Sequence, residues 1–201
     1  MELDEEDGKM VRAWKTNQKA SHMVVSTPDE KKLYVANIGS GSVSVIDRTM
    51  PMSAEPAPSI PTGAGAEGID ISPDGRQVWV ANREEGTITV IDTSSDKAVA
   101  SFPSGGKVPI RLKFTPDGKH VWVSNAGSNP MSIFDAGERR AVGTMEVGHV
   151  PVGMAMSPDG ARIFVATTNA NQVAVIDAAT RKVLTRFSPG NEPDGIAWAS
   201  R

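Results

Sequence analysis

Four short turn segments recur along this chain at a nearly constant spacing. Each begins with Ser or Thr followed by Pro and Asp, and the four prolines are 45, 43 and 42 residues apart. The segments are Thr27-Pro28-Asp29-Glu30, Ser72-Pro73-Asp74-Gly75, Thr115-Pro116-Asp117-Gly118 and Ser157-Pro158-Asp159-Gly160. A second marker, the aspartate that ends an Ile-Asp or Phe-Asp pair, repeats with the same spacings. Its four copies are Asp47, Asp92, Asp135 and Asp177. Two independent markers in one register indicate a repeat of about 43 residues, which limits the chain to repeat architectures.

Within each repeat the residue pattern indicates short strands and no helix. The runs Val78-Trp79-Val80-Ala81 and 87–91 are rich in β-branched residues and are bounded by Pro, Asp, Asn and Gly, as is typical of strands. In the second repeat we predict an inner strand at 68–72, a second at 77–81, a third at 87–91 and an outer strand at 98–102. Apolar residues occupy odd and even positions alike in the second and third strands, so both faces of each sheet are expected to be buried.

Four-stranded units of this length predict an all-β fold, a β-propeller of four-stranded antiparallel blades. The predicted divisions are an incomplete blade at 1–21, blades at 22–62, 63–104, 105–148 and 149–190, and a last inner strand at 191–201. The two ends would then supply an outer and an inner strand, which are not neighbours in a blade. We therefore expect an open propeller that is truncated at its N-terminus, with completion by a second copy as the alternative.

Two further features of the repeat carry structural expectations. One aromatic residue occupies the same position in every copy and is expected to pack between blades. These aromatic residues are Tyr34, Trp79, Trp122 and Phe164. The first outer strand is interrupted by four prolines, which cannot donate backbone hydrogen bonds, so it is expected to be weak. These prolines are Pro51, Pro56, Pro58 and Pro61.

The repeat also resembles a known family. Leu33-Tyr34-Val35-Ala36-Asn37 followed by Gly41-Ser42-Val43-Ser44-Val45-Ile46-Asp47 is similar to the YVTN-family β-propeller repeat of YncE-like proteins, which are related to surface-layer and lactonase-type propellers. The resemblance implies a bacterial repeat protein located in the periplasm or outside the cell.

Composition excludes several classes of site. The chain has no cysteine, which excludes disulfides, thiolate zinc sites and a cysteine nucleophile. Its net charge is -3 and Lys and Arg form no cluster, so binding to nucleic acid is not expected. No apolar run approaches the length of a membrane span, and the acidic start of the chain does not have the pattern of a signal peptide.

Candidate binding residues lie where the repeat departs from itself. The chain reverses at each strand, so the Pro-Asp-Gly and Ile-Asp turns share one face, where the aspartates are expected to cap turns. The loops after the second strands and the crossings between blades share the other face. At the start of the inner strands, the aligned pairs Ser21-His22, Glu67-Gly68, Ile110-Arg111, Val152-Gly153 and Asp194-Gly195 are expected to line the channel mouth.

Four residues in those pairs are not required by the scaffold, because their repeat equivalents are mostly Gly, Ile or Val. These are His22, Glu67, Arg111 and Asp194. His149 in a crossing, and Asn82 and Arg83 in a loop, extend the predicted ligand-binding surface. We expect Arg111 to be lined by solvent, so that its removal weakens binding and changes stability little.

Three functions are compatible with this pattern. The first is a non-enzymatic binding module for a protein, a surface polymer or a small polar ligand, with no cofactor. The second is a lactonase-like hydrolase, in which His22, Glu67 and Asp194 hold a divalent ion that polarises a carbonyl. The third, by resemblance to the propeller of bacterial nitrite reductase, binds haem in the channel. The open inner edge at 195–199 and the apolar blade face beside 33–36 also predict self-association.

Overall fold

The computed structural model describes residues 1–53 and 55–199 of the 201-residue chain. In this part of the chain the helical elements are two three-residue 3-10 turns, Ile38–Ser40 and Thr168–Ala170. Among the described residues no helix is long and apolar enough to cross a membrane. The rest of the regular structure is antiparallel strand, which confirms the all-β prediction.

The strands form one short pair followed by four four-stranded sheets. The short pair is β1 (Glu2–Leu3) with β2 (Met10–Arg12). The first blade contains β3 (Ser21–Ser26), β4 (Lys32–Asn37), β5 (Ser42–Asp47) and β6 (Ser59–Pro61). The second contains β7 (Ala66–Ile71), β8 (Gln77–Asn82), β9 (Thr87–Asp92) and β10 (Lys97–Pro103). The third contains β11 (Pro109–Phe114), β12 (His120–Asn125), β13 (Pro130–Asp135) and β14 (Arg140–Glu146). The fourth contains β15 (Pro151–Met156), β16 (Arg162–Thr167), β17 (Gln172–Asp177) and β18 (Lys182–Phe187).

Each Pro-Asp turn joins the first two strands of a blade through a local network. In the second blade the Ser72 hydroxyl donates to Asp74 at 2.6 Å, and the amide of Gly75 donates to the Ser72 carbonyl at 2.8 Å. Gly75 has a φ of +73°, a left-handed conformation that glycine adopts without strain. In the first blade Glu30 holds this conformation with a φ of +58°, so the turn forms there without glycine.

The first outer strand is short, as its prolines predict. Strand β6 has three residues, whereas β10 and β14 have seven each. Pro58 still accepts a hydrogen bond through its carbonyl from the amide of Val45 at 2.8 Å, but it has no N–H to return. Ala54, in the same connection, lies outside the described residues.

The blades pack side by side in chain order, with β3 against β7, β7 against β11 and β11 against β15. Three of the repeated aromatic residues, Tyr34, Trp79 and Trp122, are buried between blades as predicted. Phe164 departs from the prediction, because it is only partly buried and contacts Trp198, at a ring centroid distance of 5.8 Å. No further blade follows among the described residues to cover it.

The predicted inner strand at 195–199 does not form a strand in the structure, and none of the described residues lies beside it as a second strand. Residues 200 and 201 of the predicted segment lie outside the described residues. The segment nevertheless follows the path of an inner strand, since the carbonyl of Asp194 packs directly on Gly153. The carbonyl of Ile110 packs in the same way on Gly68.

Candidate functional site

The predicted channel mouth, at the start of the inner strands, contains one buried carboxylate that is shared by two arginines. Glu67 is 3% exposed. Its Oε2 accepts a hydrogen bond from Nη1 of Arg83 at 2.8 Å, and its Oε1 accepts one from Nη1 of Arg111 at 2.8 Å. Arg83 belongs to the loop after β8 and Arg111 to β11 of the next blade. The carboxylate therefore joins two blades and orients both guanidinium groups.

Local backbone geometry brings these side chains together. Ala66 pairs with Asn82 and Gly68 with Ala81, so Glu67 lies in a bulge of β7. A bulge changes the direction of the side chain that it carries. At Gly68 a Cβ would lie 2.7 Å from the carbonyl oxygen of Ile110. Glycine at this position therefore lets β11 approach β7 closely enough for Arg111 to reach Glu67.

Asp194 joins the cluster from the other side. Its Oδ1 lies 3.8 Å from Nη2 of Arg111, and its side chain is 64% exposed. Arg111 also donates from Nη1 to its neighbouring carbonyl, that of Ile110, at 2.8 Å. Arg111 is thus largely buried and held by partners from the second blade and from the segment after the fourth, which corrects the expectation that solvent lines it.

His22 is not part of this cluster. The structure pairs Ser21 with Asn37 and Ala66 with Asn82, so His22 is the counterpart of Glu67 and not of Gly68 or Arg111. The sequence alignment was wrong by one residue here, since the 45-residue spacing from Pro28 to Pro73 relates His22 to Glu67. His22 is exposed and lines a separate cavity over the first blade.

Two other predicted ligand residues have different positions. His149 is exposed in the crossing before β15 and belongs to no ion pair among the described residues. Asn82 is fully buried, and its amide donates to the hydroxyls of Thr87 and Thr89 at 3.0 and 2.9 Å. Asn82 therefore stabilises the end of its own blade and is removed from the candidate site.

The first blade explains why the Asn82 carbonyl oxygen has no partner. Its equivalent, Asn37, accepts a hydrogen bond from the Ser21 hydroxyl at 2.6 Å. The second blade has Ala66 in place of Ser21, and Oδ1 of Asn82 is buried without a hydrogen bond in the described structure. This unpaired oxygen reflects the substitution of one repeat residue and points to no ligand.

The sequence analysis did not identify a second ion pair, which joins β7 and β11 further along these strands than Glu67. Asp70 of β7 is 6% exposed and accepts hydrogen bonds from Nζ of Lys113 and from the amide of Phe114, both at 2.9 Å. Burial raises the pKa of Asp70, and Lys113, which is partly exposed to water, only partly offsets this effect. The residues equivalent to Asp70 in the first and fourth blades are Val25 and Ala155, which are apolar. Asp70 therefore departs from the repeat, and a comparison of the repeats at this position would have identified it.

The repeated aspartates lie on the opposite face and cap turns, as predicted. Asp92 accepts hydrogen bonds from the hydroxyls and amides of Ser94 and Ser95. The Ser94 hydroxyl is the largest of the effects that lower the pKa of Asp92 to about 2. These carboxylates are satisfied by their own turns, so they have a structural role.

The residues at the channel mouth do not fit a divalent metal. Among the described residues no group of three or more His, Asp or Glu side chains could hold an ion. His22, Glu67 and Asp194 do not converge, and both oxygens of Glu67 are bound to arginines. His22 and Arg111 are not in one site either, so the pairing invoked for haem binding is not formed by these residues.

Solved structures share this fold. Hydrazine synthase from Kuenenia stuttgartiensis superposes with a TM-score of 0.76 at 24% identity, over 89% of this chain and 51% of that one. A putative 6-phosphogluconolactonase from Bacteroides uniformis gives 0.73 at 17% identity, over 86% of this chain and 56% of that one. A functionally unknown protein from Desulfotomaculum acetoxidans gives 0.73 at 16% identity, over 89% of this chain and 61% of that one. The chain thus spans between half and two thirds of these structures, and the likeness shows the fold.

No curated protein matches the chain in sequence. A family does match the chain in sequence. Residues 2–188 match the family described as Lactonase, 7-bladed beta-propeller. Since this match includes all four blades and the short strand pair before them, the protein belongs to the seven-bladed β-propeller lactonase family.

Proposed function

We propose that this protein binds a small anionic, hydroxyl-rich ligand at the channel mouth through Arg83 and Arg111. The observation that carries the proposal is the sharing of one buried carboxylate, Glu67, by two guanidinium groups. Asp194, whose Oδ1 lies 3.8 Å from Nη2 of Arg111, balances the charge of the second guanidinium group. An anionic ligand that displaces the exposed Asp194 side chain would gain contact with both arginines.

Both arginines retain donors for a ligand. A guanidinium group has five N–H donors in a fixed fork, which suits bidentate recognition of carboxylate or phosphate. The Arg83 side chain is 40% exposed and uses Nη1 for Glu67. Arg111 is held more tightly, and its Nη2 faces the distant carboxylate of Asp194, which a ligand anion would displace.

Glu67 makes the site ready for binding. Long arginine side chains lose conformational freedom when a ligand orders them, and this loss reduces affinity. Because Glu67 already orients both guanidinium groups, most of this cost is met when the protein folds.

Family membership suggests the class of ligand. The family is named for lactonases, and one similar structure is a putative 6-phosphogluconolactonase. A sugar acid or its phosphate ester combines an anionic group for the arginines with hydroxyls for the polar loop face. The resemblance to YVTN repeats further supports a binding role outside the cytoplasm, which cell fractionation with antibody detection would test.

Lactone hydrolysis is the second candidate, favoured by the family match. Without a metal, an arginine N–H would polarise the lactone carbonyl while exposed Asp194 accepts a proton from the attacking water. Water adds to the carbonyl carbon, the ring C–O bond breaks, and the alkoxide takes the proton to give the hydroxy acid. Arg83 and Arg111 take part in both candidate functions. Only catalytic turnover therefore distinguishes a hydrolase from a binding protein.

Titration calorimetry with 6-phosphogluconate and gluconate tests the binding proposal. Arg83→Ala is expected to weaken binding by about 1.5 to 3 kcal/mol, the range for hydrogen bonds to charged groups. Arg76→Ala is the matched control, because Arg76 is highly exposed and follows a Pro-Asp-Gly turn on the opposite face. Binding that is unchanged by Arg83→Ala, or equally reduced by Arg76→Ala, would contradict the proposal.

A pH-stat assay with δ-gluconolactone separates the two candidates. Proton release above the spontaneous rate that is lost in Asp194→Asn supports hydrolysis. Saturable binding of the acid without such release supports a binding protein. If neither binding nor turnover is observed, this ligand class is wrong.

A further inference from the structure

A second basic side chain of β11 lies next to the proposed binding site. Lys113 follows Arg111 by two residues, and β11 pairs with β12 without a bulge from Arg111 to Phe114. Alternate residues of a strand point to the same side. The Lys113 side chain therefore leaves β11 on the same side as that of Arg111, about 7 Å further along the strand.

A buried carboxylate of β7 holds each of these two basic side chains. Glu67 is 3% exposed and accepts a hydrogen bond from Arg111, and Asp70 is 6% exposed and accepts one from Nζ of Lys113 at 2.9 Å. The other oxygen of Asp70 accepts a hydrogen bond from the amide of Phe114 at 2.9 Å, which fixes the carboxylate against β11. Lys113 is thus oriented before a ligand binds, as Arg111 is by Glu67.

The repeat does not require a charge at this position. Strand pairing makes Val25, Asp70, Lys113 and Ala155 equivalent to one another in the four inner strands, and two of the four are apolar. A buried ion pair contributes little net stability, because the loss of hydration offsets the attraction between the charges. The pair therefore indicates a role for Lys113 beyond joining two blades.

Lys113 keeps donors for a ligand. An ammonium group has three N–H donors, and the hydrogen bond that this one makes to the described residues goes to Asp70. The Lys113 side chain is 43% exposed, compared with 14% for Arg111. A ligand that contacts Arg111 can therefore also reach Lys113.

We propose that Lys113 binds a second anionic group of the ligand whose first anionic group is held by Arg83 and Arg111. This inference rests on the proposed function and narrows its ligand class to open-chain polyhydroxy acids with an anionic group at each end. The separation of about 7 Å between the two positions on β11 suits the two ends of a six-carbon chain. A carboxylate and a phosphate ester both fit the second position, because an ammonium group binds anions as a point charge.

Titration calorimetry with glucarate, gluconate and 6-phosphogluconate tests the proposal. Glucarate has the hydroxyl-bearing chain of gluconate but a carboxylate at both ends, so the comparison isolates the second anionic group. We expect the wild-type chain to bind glucarate about 10- to 100-fold more tightly than gluconate, the gain from one hydrogen bond between charged groups. A similar gain with 6-phosphogluconate assigns either anion to Lys113, and a gain with only one of the two acids identifies that anion.

A double variant tests the role of Lys113 itself. Asp70→Asn combined with Lys113→Met removes both charges and keeps an acceptor for the amide of Phe114, so no unpaired charge stays buried. We expect the ratio of glucarate affinity to gluconate affinity to fall toward one in this variant, whereas Arg83→Ala weakens the binding of both acids. Asp70→Asn alone keeps the lysine charge and should keep a preference for glucarate. Circular dichroism checks that each variant retains the β-sheet spectrum.

Lys119→Met is the matched control and should leave the ratio unchanged. The Lys119 side chain belongs to the same blade, is 75% exposed and lies beside a Pro-Asp-Gly turn on the opposite face. Two results would overturn this inference and leave the site at Arg83 and Arg111 in place: neither two-ended acid binds more tightly than gluconate, or the preference survives in the double variant. Failure of all three acids to bind would overturn both proposals.

Discussion

The junction between the second and third blades differs from the junction between the third and fourth, although one repeat builds both. At the former, Trp79 packs edge-on against Phe102 and Phe114, at centroid distances of 5.3 and 5.6 Å. At the latter, Trp122 packs in a cluster that contains Met131, Met154 and Met156. The repeat therefore specifies the large aromatic residue at each junction but leaves its neighbours free to vary.

The inner strands show the same contrast in charge. Strands β7 and β11 are linked by the pairs Glu67 with Arg111 and Asp70 with Lys113. At the positions of Arg111 and Lys113, β15 has Gly153 and Ala155. A hydrogen bond from the Ser124 hydroxyl of β12 to the Val152 carbonyl of β15, at 2.9 Å, joins the third and fourth blades there. Of these two pairs of inner strands, only β7 and β11 are joined by ion pairs among the described residues, which indicates a demand that comes from the site and not from the scaffold.

The largest expected effect distinguishes the two aromatic clusters. Trp79→Ala is expected to reduce the free energy of unfolding by about 3 to 5 kcal/mol, as for a buried aromatic side chain in a rigid core. Trp122→Ala is expected at the lower end of that range, because flexible methionine side chains can partly fill the space. Urea denaturation of both variants measures the difference. Equal losses would show that the methionines pack as rigidly as the phenylalanines.

The charged junction is tested next by Arg111→Ala. We expect a loss of about 1 to 3 kcal/mol, because Glu67 stays buried with one arginine in place of two. Adding Glu67→Gln to this variant should recover part of the loss, since the buried charge is then gone. A double variant whose loss equals the sum of the single losses would show that the pair is not coupled.

A smaller effect is expected in the pH dependence of Asp70. Its pKa is raised above the ordinary 3.8, so the folded state holds this proton more tightly than the unfolded chain does. The stability that Asp70 contributes is therefore greatest below 3.8 and falls as pH rises through its raised pKa. Asp70→Asn should remove this fall, which urea denaturation at a series of pH values would detect. A wild-type and a variant profile that run parallel above pH 3.8 would contradict the assignment.

The smallest expected effect is the pH dependence of stability at Asp92, which lies on the face of the Pro-Asp-Gly turns and belongs to neither junction. Stability rises with pH there, whereas at Asp70 it falls. The pKa of Asp92 is lowered to about 2, so its stabilisation is present above 3.8 and is lost as pH falls toward 2. Asp92→Asn should remove only this loss of stability at low pH. The same series of urea denaturations, extended to low pH, measures it against Asp70→Asn.

Much of the fold follows from residues close together in the chain. The spacing of the Pro-Asp turns and of the Ile-Asp pairs predicts four blades, and the structure has four four-stranded sheets. The four prolines near β6 predict a short outer strand, since proline has no N–H to donate. Turn capping by Asp92 is equally local, because its partners are Ser94 and Ser95.

The candidate site was predicted only in part. Glu67, Arg111 and Asp194 were singled out by their departure from the repeat and Arg83 as a loop residue that extends the surface, and these four are joined in the structure. His22 also departs from the repeat, but it lies in the first blade, where it is exposed and lines a separate cavity.

The one-dimensional pattern therefore specifies strand order, turn chemistry and the position of the aromatic residue, all of which depend on near neighbours and on a fixed period. It does not specify which unlike side chains meet. Glu67 reaches Arg111, 44 residues later, only because a bulge turns its side chain and Gly68 admits the next strand. Contacts of this kind depend on how blades approach each other, and that approach results from packing between residues far apart in the chain.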